Sequence, residues 1–126
     1  MDLDRPEIVA EVTARFAAYE QALVDNDVDR IMGFFAAGAV RFGVADDQVG
    51  LAAQRRWRRA QPALPAGRRL HDTRIATYGA DLAVVTTFFS YPHRAVTGRQ
   101  SQTWVRLAAG WRIVSAHVSE PASHAG

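Results

Sequence analysis

Gln100, Gln102, Trp104 and His117 fall in two adjacent runs of β-branched and aromatic residues near the C-terminus, and such a polar, aromatic set could wall a half-buried cavity. Strand side chains alternate between faces. A two-residue turn at Ala109-Gly110, the commonest hairpin length, places Gln102 opposite His117, Trp104 opposite Ser115 and Gln100 opposite Ser119. One face then carries Gln100, Gln102, Trp104, Ser115, His117 and Ser119. The other carries Ser101, Thr103, Val105, Val114, Ala116 and Val118, a flat, small-residue surface suited to a homodimer through the sheet. A register change of one residue would exchange the two sets. Two further residues invite chemistry. Tyr19 sits on the apolar stripe of a helix, where a buried phenol needs a hydrogen-bond partner. Arg41, between Val40 and Phe42, could project into a cavity as a two-pronged clamp for a carboxylate. Plain structural roles stay open for each: a bonded structural histidine, glutamines on a solvated face, a core tyrosine, an arginine in water.

Composition narrows the chemistry further. Cysteine is absent, which removes disulfides, thiolate metal sites and a cysteine nucleophile. Lysine is absent too, and all 15 cationic side chains are arginine. Schiff-base chemistry and a Walker-type phosphate loop each need a lysine amine, so both are excluded. The four histidines (71, 93, 117 and 124) show no ligand spacing, so neither a metal nor another cofactor is expected. The formal net charge of +2 creates no strong field toward nucleic acid or membrane. Arg55, Arg56, Arg58, Arg59, Arg68 and Arg69 form a local basic patch around Trp57. A solvated helix face explains the patch better than a nucleic-acid contact. A milder role is to draw a small anionic substrate to a cavity mouth. No run approaches the roughly 20 apolar residues of a membrane helix, and Met1 to Glu7 lacks a secretion signal. A cytoplasmic protein with no membrane contact is expected.

The elements that must position these residues are legible. The chain's 126 residues suit a single domain, 1–126. Asp4 with Glu7 reads as a capping box, and Ile8, Val12, Phe16, Tyr19 and Leu23 then mark an amphipathic helix. Asn26 or Asp27 caps a second helix that carries Ile31, Phe34 and Phe35 and ends near Gly38. A strand over 39–44, a turn at Asp46-Asp47 and a helix from Gly50 to Gln61 follow. Four strands over 70–78, 82–91, 99–107 and 111–119 complete the chain. Helices followed by strands argue an α+β fold, with a curled antiparallel sheet wrapped on the helices.

Three segments carry a family resemblance. They are Tyr19-Glu20 with Ala22-Leu23 and Asn26-Asp27, then Val40-Arg41-Phe42-Gly43, and above all Thr97 to Arg106, which reads TGRQSQTWVR. With the ending GWRIVSAHVS, the chain resembles the NTF2-like (SnoaL-like) superfamily, and more narrowly its AtzH-like group, which takes in the HpxZ-like proteins of oxalurate catabolism. The resemblance implies a cone-shaped α+β barrel, dimeric through its sheet, with a pocket between helices and concave sheet. It implies decarboxylating hydrolysis of a small carboxylated urea such as dicarboxyurea, with Tyr19 and Arg41 catalytic, and association with a partner amidase. Gln100, Gln102, Trp104 and His117 would then bind substrate. One departure leaves the substrate open: the group's third helix reads Phe-Arg-x-x-Arg before proline, whereas here Trp57-Arg58-Arg59-Ala60-Gln61 precedes Pro62. Two other classes compete: a non-catalytic accessory protein for an amidase, and an isomerase or cyclase. Against the latter, no acidic general base is evident inside the cone, Asp72 and Asp81 lying at strand ends.

Overall fold

Ile8, Val12, Phe16, Tyr19 and Leu23 recur every three or four residues, and in the computed structural model, which describes residues 1–122, they form the buried stripe of helix α1 (Pro6–Val24). His124 lies outside the described residues. Asp4 does not cap this helix. It adopts a left-handed backbone conformation, donates its N–H to the Thr77 carbonyl, and accepts the Thr77 N–H on Oδ1, both at 2.9 Å. The Asp4 side chain therefore pins the N-terminal segment to the sheet, and the helix starts without a side-chain cap.

Helix α2 (Val28–Met32) starts where Asp27 accepts the Arg30 N–H, and it ends earlier than the apolar spacing suggests. Phe35 already belongs to β1 (Phe35–Phe42), and the Phe34 carbonyl accepts the Ile113 N–H at 2.7 Å. Pairing with the sheet wins because so short a helix has little stability of its own. Beyond Phe42 a tight turn, closed by the Gly43 N–H on the Asp46 carbonyl, reverses the chain into β2 (Asp47–Val49). The expected Asp46-Asp47 turn is thus the start of a short strand paired antiparallel with β1. Helix α3 (Leu51–Ala60) follows, then β3 (Arg69–Tyr78), β4 (Leu82–Ser90), β5 (Gly98–Leu107) and β6 (Gly110–Ser119).

The strands form one sheet in the order β2-β1-β6-β5-β4-β3. The β1–β6 pair is parallel, so the sheet is mixed and not wholly antiparallel. Strands β3 to β6 form a plain meander, whereas β1 returns to the last strand from the far end of the chain.

The β5–β6 register overturns the expected faces. Leu107 pairs with Gly110, which makes Ala108-Ala109 the turn. That change alone shifts the pairing by two residues and would leave every side chain on its expected face. An irregularity next to Trp104 then adds one residue, and Gln102 pairs with Ala116, Ser101 with His117 and Gln100 with Val118. A bulge of this kind flips the faces beyond it. Ala116 and Val118 consequently share the inner face with Gln100 and Gln102, while Ser115, His117 and Ser119 face outward beside Ser101 and Thr103. The outer face is therefore more polar than the expected Val114/Ala116/Val118 surface. Between α1 and the inner face lies the core, centred on Val12, Val85, Trp104 and Ile113, each at most 1% exposed.

Candidate functional site

A cavity of about 240 Å³ opens between the C-terminal part of α1, the inner face of α3, the turn after β1 and the ends of β4 and β5. Helix α1 delivers Tyr19, strand β1 delivers Arg41, helix α3 delivers Trp57 and Arg58, and the segment before β3 delivers Arg68. Gln100 comes from β5, and Tyr91 and Arg94 from the loop after β4.

Tyr19 is 3% exposed and packs edge-on against Phe34, Phe35 and Trp104, with centroids 5.7, 5.8 and 6.3 Å away. Burial pushes the phenol above its ordinary value, and Glu20 adds to this, while Arg58, Arg41 and Arg68 pull the other way. Arg41 is also buried. Its Nη1 donates to Asp46 and, at 3.0 Å, to Gln48 Oε1, and its guanidinium carbon lies 4.2 Å from the centre of the Trp57 ring. Gln48 Nε2 closes this cluster by donating to Asp46 Oδ1 at 2.8 Å.

The opposite wall is a second network. Arg68 donates from Nε to Glu20 Oε1 at 2.9 Å, from Nη1 to the Tyr91 hydroxyl at 3.0 Å, and from Nη2 to Gln100 Oε1 at 3.1 Å. Gln100 Nε2 donates back to Glu20 Oε2 at 3.0 Å. Burial opposes the Arg68 charge, but Glu20, seconded by Tyr91, outweighs it and holds the guanidinium above its ordinary value. At the mouth, Arg94 pairs with Glu120 at 2.7 Å.

Of the residues expected from the sequence, Tyr19, Arg41 and Gln100 share this cavity. Gln102 and Trp104 do not line it. They lie behind it in the core, 1% and 0% exposed, where Trp104 Nε1 donates to Gln102 Oε1 at 2.9 Å. His117 is on the other side of the sheet, edge-on to Phe42, in an outer concavity of about 310 Å³ shared with Asp72, Arg74 and Phe88. The inner cavity is the stronger candidate because it gathers buried, mutually bonded charged groups, and perturbed ionisable groups in a cleft mark functional sites.

Sequence reasoning missed Glu20, Asp46, Arg58, Arg68 and Glu120. Three carboxylates therefore surround a site in which no acid was evident, each bonded to an arginine. The basic patch held the signal for two of them. Arg55 and Arg59, four residues apart, both reach Asp29 on the outer side of α3. Arg58 lies on the opposite face with Gln54 one turn earlier, and Arg58 Nε donates to Gln54 Oε1 at 2.8 Å. Among the described residues, no three histidines or carboxylates converge as metal ligands would, and no helix is long and apolar enough to cross a membrane.

Helices laid in a curled mixed sheet, with a polar cavity at one end, define an NTF2-like protein. An NTF2-like protein of unknown function from Pseudomonas putida KT2440 has the same fold, with a TM-score of 0.78 at 18% identity over 92% of this chain and 88% of that one. More narrowly, the chain belongs to the AtzH-like family, which it matches over residues 1–123. A cystatin-like fold protein from Burkholderia xenovorans LB400 is 44% identical, with a TM-score of 0.93 over 98% of this chain and 99% of that one. A protein of unknown function from Pectobacterium atrosepticum is 41% identical, with a TM-score of 0.93 over 96% of both chains. No curated protein matches the chain.

Proposed function

We propose that this protein is an enzyme that hydrolyses a small carboxylated urea, or a related ureido acid, with loss of its carboxyl group. One observation carries the reading: a buried tyrosine kept protonated and an arginine suited to carboxylates line the same small cavity. Membership in the AtzH-like family supports it.

Arg41, oriented by Asp46, Gln48 and Trp57, draws the carboxylate into the cavity. Gln100, held by Glu20 and Arg68, shapes the wall against the ureido group. The bond between the carboxyl carbon and nitrogen breaks, and its electron pair stays on nitrogen. The Tyr19 hydroxyl gives that nitrogen its proton, and carbon dioxide departs. Water then returns a proton to the tyrosinate, and the hydroxide left over converts carbon dioxide to bicarbonate, so the net reaction is hydrolysis. Glu20, Asp46 and Glu120 are each paired with an arginine, so none stands free as the general base an isomerase would use.

The test is release of carbon dioxide from freshly generated dicarboxyurea, whose carboxyl groups sit on nitrogen, with oxalurate, whose carboxyl is bonded to carbon, as the comparison. Wild type turns dicarboxyurea over, and Tyr19→Phe loses about 10²-fold or more. Arg41→Ala loses turnover with its fold intact. A wild-type protein that turns over neither compound overturns the reading, and copurification with an amidase would then favour the accessory role.

A further inference from the structure

A second concavity, of about 400 Å³, opens between α1 and the turn that joins β5 to β6. Helix α1 contributes Glu11 and Arg15, and the first residues of β6 contribute Gly110, Trp111 and Arg112. The inner cavity lies at the other end of that strand, where Val118 and Glu120 line it. Two guanidiniums converge here on one acceptor. Arg15 donates from Nη2 to the Trp111 carbonyl at 3.2 Å, and Arg112 donates from Nη1 to the same oxygen at 2.9 Å. Gly110 makes room for the second of them: its φ is +113°, and a Cβ there would come within 3.3 Å of Arg112 Nη1.

Among the described residues, neither arginine has a carboxylate within 4.0 Å. Glu11, one turn before Arg15, is already taken: Arg106 donates to both its oxygens, at 3.2 and 2.6 Å. Burial pushes Arg15 below its ordinary value and the Arg112 charge adds to this, yet an arginine stays charged in a protein. Acceptors are short as well as anions. Arg15 Nε and Trp111 Nε1 are buried without a hydrogen-bond partner among the described residues, and buried donors are normally bonded.

We propose that Arg15 and Arg112 form a binding site for a phosphate dianion, free or as the terminal group of a small phosphate ester. Two adjacent, uncompensated positive charges match the nearly two negative charges of a phosphate ester above pH 7, whereas a carboxylate brings one. The N–H groups left over on the two forks can share its three oxygens. Such a ligand supplies both the charge and the acceptors that this wall lacks. The site is separate from the inner cavity, with which it shares no lining residue.

Calorimetric titration at pH 8 with inorganic phosphate, phenyl phosphate and acetate tests this. Wild type is expected to bind phosphate, and acetate about tenfold or more weakly. Arg15→Gln and Arg112→Gln are each expected to weaken phosphate binding by about tenfold or more. Arg41→Ala, altered only in the inner cavity, keeps the wild-type affinity. Phenyl phosphate bound as tightly as phosphate assigns the site to esters, and its exclusion assigns it to the free ion; either sustains the proposal. Acetate bound as tightly as phosphate overturns the dianion. Phosphate affinity unchanged in Arg15→Gln and Arg112→Gln overturns the site, and a loss in Arg41→Ala would then place the anion in the inner cavity. Failure of wild type to bind phosphate overturns the proposal outright. If Arg15→Gln does not fold, Arg112→Gln decides alone, because the half-buried Arg112 side chain bonds only the carbonyl of its neighbour.

Discussion

At the closed end of the cone, Val12, Val85, Trp104 and Ile113 meet between α1 and the sheet, and one hydrogen bond joins Trp104 Nε1 to Gln102 Oε1. At the open end, a few residues further along β5 and α1, Gln100 and Glu20 belong to a network of charges. The two ends share strands and a helix, yet their physics differs. Apolar burial stabilises without directional demands. Buried ion pairs stabilise only if every partner is present, because their mutual attraction must offset desolvation. The closed end therefore holds the fold, and the open end is a polar device mounted on it. Arg68 and Glu20 illustrate the dependence: neither lies in an apolar layer, and each is tolerated because the other, with Gln100 and Tyr91, completes its hydrogen bonds.

The sharpest test of this contrast is at Trp104. Trp104→Ala removes the largest fully buried side chain and leaves the Gln102 amide oxygen without its donor. Large-to-small substitutions of aromatic core residues cost about 3–5 kcal/mol, and urea denaturation should show a loss of that size. A loss below about 1 kcal/mol would mean that the closed end is not what holds the fold.

Next in size is the open end. Glu20→Gln keeps the shape but strips Arg68 of its counter-charge, at an expected cost of about 2–3 kcal/mol. The informative comparison is the double variant Glu20→Gln/Arg68→Met. It should be more stable than Glu20→Gln alone, because the orphaned charge has gone. Denaturation curves of the three proteins check this. Strictly additive losses would show that the network contributes as ordinary packing, and the distinction between the ends would fail.

The same contrast explains what could be read from the sequence. Periodic apolar residues announced α1, and β-branched runs announced the four long strands, because both report burial against the closed end. Tyr19 and Arg41 were legible as candidates, one from its place on the α1 stripe and the other from its flanking Val40 and Phe42. The short strand β2 was not: three residues carry no period, and its pairing depends on the turn through Gly43. Nor was the bulge beside Trp104, which is set by how the hairpin curls over α1 and which moved His117 to the outer face. Within the basic patch, composition could not separate Arg58 from Arg55 and Arg59, since direction follows from the angle at which α3 packs. Polar groups at the open end are chosen for one another across long stretches of chain, as with Glu20, Arg68 and Gln100, and such pairings leave no local pattern.

The smallest expected effect is also the most specific to the boundary between the two ends, where Tyr19 packs on Trp104 and faces the cavity. Its phenol is held above the ordinary value by burial, against the pull of the neighbouring arginines. As pH rises, the unfolded chain therefore releases this proton first, near pH 10. The stability linked to Tyr19 is complete below that point and is lost as pH climbs from the unfolded value through the folded one. Each pH unit between the two corresponds to about 1.4 kcal/mol. Tyr19→Phe has no proton to lose, so its stability should fall less steeply than wild type above about pH 10. Every other ionisable group is common to both proteins, so the difference isolates Tyr19. Paired urea curves from pH 8 to 11 measure it. Parallel profiles would show that the arginines around Tyr19 offset its burial fully, which would make the phenol a group of the open end and not of the core.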